Sequence, residues 1–280
     1  MKRERFDFAF PLGAGCSCSM MLREKGLQFA SFPLDWVGTK DLDAAHDMRV
    51  RADFVANGFA GWLREENLER VPRLDSPKFL GCLDRGTGLY FTHDFAPDSD
   101  IRREYQTVSA KYARRIERFR RLLSGARRVL VVWVNDPRIY GVAGTGDVRY
   151  CLDALRGAYP GKEFKVVAVN CVHGVGPEAM AAERGDGYEC YSFDYRVVTE
   201  GDPSWEVRRD YFAPLLERFE VSDYRTRAER RANAKRERAR DMERFRATSA
   251  LDLLVTKAKF KVYRHLKRGL ERKGVRLEGL

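Results

Sequence analysis

Apolar and polar positions alternate from Arg5 to Phe10, "RFDFAF", the period of a strand with one face buried. Gly13 and Gly15 then make a sharp turn, and the spacing predicts a short helix over about 17–25, closed by Gly26. A second helix is predicted over about 39–55, and "GWLREENL" reads as another short one. "KFLGCLD" and "GLYFTHDF" flank the turn "RGTG" and read as a hairpin. The best-defined helix covers about 101–123: Ile101, Tyr105, Val108, Tyr112, Ile116, Phe119 and Leu122 recur every three or four residues, and Gly125 supplies a stop. "RRVLVVWVN" and "FKVVAVN" lack polar alternation, the mark of strands covered on both faces, and a helix over about 147–156 joins them as a β-α-β unit. A strand near "YECYSFDY" and a helix from about Trp205 to Phe219 complete the body.

Strands alternating with helices, the central ones apolar throughout, predict an α/β fold: a three-layer α/β/α domain with a mainly parallel sheet and one antiparallel hairpin, over residues 1–223. The pattern changes in 224–280. Residues 225–246 are rich in Arg, Ala and Glu with few apolar positions, as in a solvated helix or a segment ordered on binding. From about 250 to 270, Leu251, Leu254, Val255, Ala258, Val262, Leu266 and Leu270 recur at helical spacing among lysines and arginines, a basic amphipathic helix.

Charge sharpens that division. The formal net charge is +11, but residues 224–280 hold 19 Lys and Arg against 7 Asp and Glu, whereas residues 1–223 hold 33 against 34. A nearly neutral body therefore carries a basic tail suited to an anionic membrane surface or a partner helix, and less well to nucleic acid. Six scattered cysteines without a C-x-x-C pair suggest neither a disulfide framework nor a structural metal, so reduced, cytoplasmic thiols are expected, and no metal or cofactor is called for. "MKRER" followed by "FDFAFPLGAGC" loosely imitates a lipoprotein leader, but Asp7 interrupts the apolar run, so Cys16 is expected inside a folded body.

Candidate chemistry gathers where strands end, since ligands of open α/β sheets bind at the carboxyl ends of strands. Cys16 follows the first predicted strand. His93 and Asp94 follow "GLYFT", Asn135 and Asp136 follow "VLVVWV", and His173 follows the last β-α-β strand. A thiolate is the reactive form of cysteine, and a helix amino terminus favours it. The backbone N–H groups of "GAGCS", from Gly13 through Gly15 to Ser17, are placed to hold an oxyanion. Each residue also has an ordinary reading: Cys16 as a packed thiol, His93 bonded to Asp94, Asp35 capping the turn beneath Trp36.

The residues that carry a family resemblance are "PLGAGC" (Leu12, Gly13, Cys16), "PLDW" (Pro33, Asp35, Trp36), His93-Asp94-Phe95, and "RRIERF" at 114–119. In that order they resemble a bacterial family of uncharacterised proteins catalogued as papain-like cysteine peptidases, whose pattern runs S-L-G-x-x-C, P-F-D-W, H-D-F, R-R-I-x-R-F. Pro11 stands where the family has Ser, and Leu34 where it has Phe. The resemblance implies Cys16 as nucleophile, His93 as its base, and Asp35 or Asp94 as the orienting carboxylate. It also implies a place beside enzymes of bacterial surface polysaccharides. The expected function is a cysteine-dependent hydrolase or transferase acting on an acyl, peptide or glycan-linked group, cytoplasmic or peripheral on the inner membrane. The alternatives are a non-catalytic sugar- or nucleotide-binding α/β module recruited by its tail, and a nucleic-acid-associated protein.

Overall fold

The structure, a computed structural model, describes residues 3–248 apart from 41, 73–79, 97–99, 136–138, 140, 200–201 and 208. It opens with β1 (Glu4–Phe6) and β2 (Phe8–Gly13), which leads into α1 (Gly15–Glu24). Then come β3 (Val37–Thr39), α2 (Ala44–Ala56), β4 (Leu68–Pro72), β5 (Leu80–Asp84), β6 (Leu89–Phe91) and α3 (Ile101–Gly125). The β-α-β unit is β7 (Arg128–Val134), α4 (Thr145–Ala158) and β8 (Glu163–Cys171). It is followed by β9 (Ala181–Gly185), β10 (Tyr188–Phe193), β11 (Arg196–Thr199), β12 (Asp202–Val207), α5 (Ala213–Leu216) and β13 (Phe219–Val221). The chain divides into two units, Met1–Tyr224 and Arg225–Leu280. Of the second, residues 225–248 are described, nearly all of them in α6 (Arg227–Thr248); the amphipathic stretch 250–270 lies outside the described residues.

The protein is mixed α/β. Its main sheet has the order β2-β7-β8-β10-β9, parallel except for β9. Alternate residues of these strands feed two cores. Phe8, Phe10, Val129, Val131, Trp133 and Val166 pack on one face with α2, α3 and α4; Ala9, Leu130, Val132, Val134 and Val167 pack on the other with α1 and the Phe212–Leu216 turn. This is the physical meaning of the unbroken apolar runs: both faces of β7 and β8 are covered. Asp7 interrupts the first strand because its carboxylate accepts from the Arg127 and Arg128 amides, at 2.9 and 2.8 Å, while β1 moves on to pair with β13.

Three expectations are corrected. The segment "GWLREENL" ends in a single 3-10 turn, Glu65–Asn67, that runs straight into β4. The predicted hairpin exists as β5–β6, but it belongs to a separate four-stranded antiparallel sheet, β3-β6-β5-β4, and not to the main sheet. The helix expected from Trp205 to Phe219 does not form. Residues up to Val207 make β12, paired with β11, and a 3-10 turn, the one-turn α5 and β13 follow. Pro214 allows a helix to start but not to run through it, and Phe212, Leu215, Leu216, Phe219 and Val221 find the second core without one.

Candidate active site at the head of α1

β2 is buried along its whole length and ends on Gly13. The Ala14 amide donates to the Val134 carbonyl at 2.5 Å, which hooks the chain over β7 and aims α1 back across the sheet. Ala14 is the N-cap, and no side chain caps the first turn. Cys16 stands second in that helix, half-buried, where N–H groups and the helix dipole favour negative charge. Two residues on, Cys18 turns inward, fully buried, its thiol donating to the Val132 carbonyl at 3.3 Å. Burial pushes the Cys18 thiol far above the ordinary range, and the nearby Asp35 charge adds to this. Burial also raises Cys82 and Cys151 to about 12 and Cys171 and Cys190 to about 11. All six cysteines are thiols, and five are held protonated at neutral pH.

The loop after α1 brings the second segment alongside. Asp35 is completely buried and accepts from Arg23 at 2.5 Å, from the Gln28 amide at 2.9 Å and from the Phe32 backbone at 3.0 Å. Its carboxyl is raised by burial, against the lowering field of Arg23. Its charge is spent on folding this loop, so it serves as an anchor and makes no bond to His93. Ser19 Oγ lies 3.2 Å from the Cys16 carbonyl and 3.1 Å from the Asp35 carbonyl, which sets Asp35 and Trp36 one helical turn from Cys16. The Arg23 guanidinium sits 5.6 Å over the Trp36 ring.

His93 reaches this place by strand register. β3 and β6 are antiparallel with Val37 opposite Phe91, so the residue before β3 and those after β6 are neighbours. The Trp36 and His93 rings meet edge-to-face at 6.5 Å. His93 is exposed on the wall of a cleft of ≈ 700 Å³ whose opposite wall is α3. Asp94 turns away from it: Lys111 at 2.5 Å and the Tyr112 hydroxyl at 2.7 Å take its two oxygens. Among the described residues His93 has no hydrogen-bond partner, and the ring against it is Trp36. The expected carboxylates thus tie down the flanking loop (Asp35) and helix α3 (Asp94).

The other strand-end residues diverge. Asn135 is buried beside Val134, its backbone N–H donating to the Val169 carbonyl and its side-chain Nδ2 to the Gly141 carbonyl at 3.3 Å, while its Oδ1 has no partner among the described residues. Asp136 lies outside the described residues. His173 is exposed and lies 3.2 Å from Asp194, past the end of β8, with two strand spacings separating it from β2. Among the described residues no group of three or more His, Cys, Asp or Glu side chains converges as a metal site would.

One cluster escapes sequence reasoning. Arg51 of α2 is fully buried and donates to Asp47 at 2.6 Å, to Thr39 at 2.9 Å, and to the Val37, Gly38 and Leu12 carbonyls at 2.9, 3.1 and 3.4 Å. Trp133 Nε1 donates to the other Asp47 oxygen at 3.1 Å. This clasp joins the end of β2, β3, β7 and α2 directly beneath the Cys16 turn. It also explains Gly13, because a Cβ there would stand 2.7 Å from the Arg51 side chain. The available signal was positional: Ala44, Asp47, Met48, Arg51, Ala52 and Val55 form the buried face of α2, and two charges on such a face must pair.

The family described as "Putative papain-like cysteine peptidase" matches residues 8–174, more than half of the chain. The chain belongs to that family. The match encloses Cys16, the Asp35–Trp36 segment, His93 and the Asp47–Arg51 clasp, and stops before the basic tail. The chain is also similar to "Uncharacterized protein R408" of Acanthamoeba polyphaga mimivirus, 25% identical over 136 residues, 43% of this chain and 58% of that protein. The chain therefore spans less than two thirds of that relative. No solved structure matches.

Proposed function

We propose that this member of the papain-like peptidase family is a cysteine-dependent hydrolase or transferase working through a Cys16 thiolate. Cys16 attacks an acyl carbonyl, His93 takes the thiol proton and returns it to the leaving group, and the first-turn amides of α1 hold the oxyanion. The observation that carries this reading is the β3–β6 register, which sets Trp36 beside His93 while Ser19 holds the same segment against the Cys16 turn. Trp36 positions the His93 ring in place of a carboxylate. Iodoacetamide labelling followed by mass spectrometry tests it. Cys16 is expected to alkylate with a midpoint well below the free-thiol value of about 8.5, and His93→Ala to return it to that value. Cys16→Ser should show no modification at position 16. A midpoint at or above 8.5 that ignores His93 would sink the proposal.

The family resemblance and the basic tail favour a setting at the inner face of a bacterial membrane, in surface-polysaccharide metabolism. None of the described helices is long and apolar enough to cross a membrane. The described side chains of α6 are mostly exposed, as an electrostatic contact with a lipid surface requires. In a flotation assay the full chain should rise with vesicles rich in anionic lipid and stay down with neutral ones. Equal behaviour with both would exclude the attachment.

A further inference from the structure

The cleft beside His93 has a charge character of its own. Along its α3 wall stand Arg103, Thr107, Lys111 and Arg114, spaced so that they share one helix face. Its acidic residues are already committed: Asp94 is bound by Lys111 and Tyr112, and Glu104 accepts the Ala96 amide at 2.8 Å. Arg103 and Arg114 are exposed, and neither forms an ion pair or donates a hydrogen bond among the described residues. Next to Arg114 on the same helix, Arg115 lies 5.2 Å over the Tyr112 ring with a buried Nη1 that has no hydrogen-bond partner among the described residues. Cations thus outnumber acids here on a body whose residues 1–223 are otherwise balanced, 33 basic to 34 acidic. Uncompensated guanidinium groups on a concave wall focus a positive potential, and their planar fork matches a carboxylate or a phosphate.

We infer that the substrate handled by Cys16 and His93 carries an anionic group, a carboxylate or phosphate, which Arg103 and Arg114 hold in this cleft while the acyl carbon faces Cys16. The inference rests on the nucleophile reading above, and its test separates the two. Iodoacetate and iodoacetamide alkylate by the same step: the thiolate sulfur bonds to the reagent's methylene carbon and iodide leaves. They differ in that iodoacetate carries a carboxylate. On the full chain at fixed pH, the ratio of the iodoacetate rate to the iodoacetamide rate at Cys16 should exceed that of the same cysteine in the urea-unfolded chain by about tenfold. The Arg103→Gln/Arg114→Gln pair should bring the ratio back to the unfolded value, and Arg103→Lys/Arg114→Lys should keep most of it. Salt near 1 M, where the screening length falls to about 3 Å, should shrink it. Protection of Cys16 from iodoacetamide by inorganic phosphate but not acetate would identify a phosphate, and the reverse a carboxylate. A folded protein with the unfolded ratio, or a raised ratio that survives the glutamine pair, overturns the inference; in the second case the α1 amino terminus is the source. Rapid labelling by both reagents with no anion preference would remove the substrate class and leave the nucleophile standing. Slow labelling with a raised, arginine-dependent ratio would do the opposite, keeping the anion site.

Discussion

Asp47→Ala is expected to cost about 3–5 kcal/mol of folding stability, because it strands a guanidinium where neither partner of the pair has any exposure. Small and medium domains have about 5–15 kcal/mol in all, so the variant should sit near its limit at 37 °C. Urea unfolding followed by tryptophan fluorescence measures the shift, and Trp133, which loses its own acceptor, lies inside the perturbed cluster. The double variant Asp47→Leu/Arg51→Met carries a sharper expectation. An isolated buried pair replaced by apolar side chains often returns to wild-type stability. Here Arg51 also serves the Leu12, Val37 and Gly38 carbonyls, and Trp133 serves Asp47, so the double variant should recover only part of the loss. A loss below about 1 kcal/mol for Asp47→Ala would mean that water or a neighbour reaches Arg51 and that the clasp does not hold the turn. The functional consequence follows from Gly13: the Arg51 side chain fills the space a Cβ would take, so releasing it loosens the support of the Cys16 turn.

That clasp marks where sequence reasoning ends. β7 and β8 were legible because burial on both faces removes polar alternation, and α3 because one face meets Phe91, Phe8 and Phe10 through Tyr112 and Phe119. The Cys16 turn was legible because the hydrophobic period changes from strand to helix across two glycines. The partner of that turn was not. Whether His93 lies near Trp36 depends on a long-range antiparallel register, and no local pattern in "PLDW" or "THDF" encodes it. Asp47 and Arg51 were missed for the opposite reason: charged residues within a helix ordinarily mark its solvated face, and the one sign against that was the face they share with Ala44, Met48, Ala52 and Val55. At 205–219, apolar residues at near-helical spacing were satisfied by one helical turn and a strand once Pro214 had divided the segment.

The same logic explains why the two expected carboxylates act at one remove. A charge as deeply buried as Asp35 must be fully bonded, and its bonds go to Arg23, Gln28 and the Phe32 amide, which set the path of the loop carrying Trp36. Asp94 fixes the exit of β6 to α3 through Lys111 and Tyr112, so the cleft keeps its width. The first core, the clasp and these two anchors thus tie down one helix start and two strand ends, the rigid support that the proposed Cys16 nucleophile and His93 base would need.

At the opposite, amino-terminal edge of the sheet, Glu189→Gln is expected to remove about 3 kcal/mol at pH 7 and much less near pH 2–3. Burial alone would raise this carboxyl, but hydrogen bonds from Arg218, Tyr191 and Lys165 outweigh it and hold it at about 2 against an ordinary 4.5. Arg218 lies at 2.6 Å and Lys165 at 2.9 Å, and Lys165 also reaches Glu4 at 2.8 Å, so the cluster ties β10 and β8 to the β1–β13 pair. The sign follows from linkage. A carboxyl whose folded value is depressed adds stability that is complete above its unfolded value and is lost as pH falls toward the folded one. A depression of about 2.5 units corresponds to the stated ~3 kcal/mol. Wild type and variant should therefore differ in urea midpoint at pH 7, approach each other through pH 4, and nearly coincide by pH 2. A gap that stays constant over that range would show that glutamine fails for reasons of packing, and that the Glu189 charge does not hold β1 and β13 to the sheet from which Cys16 is launched.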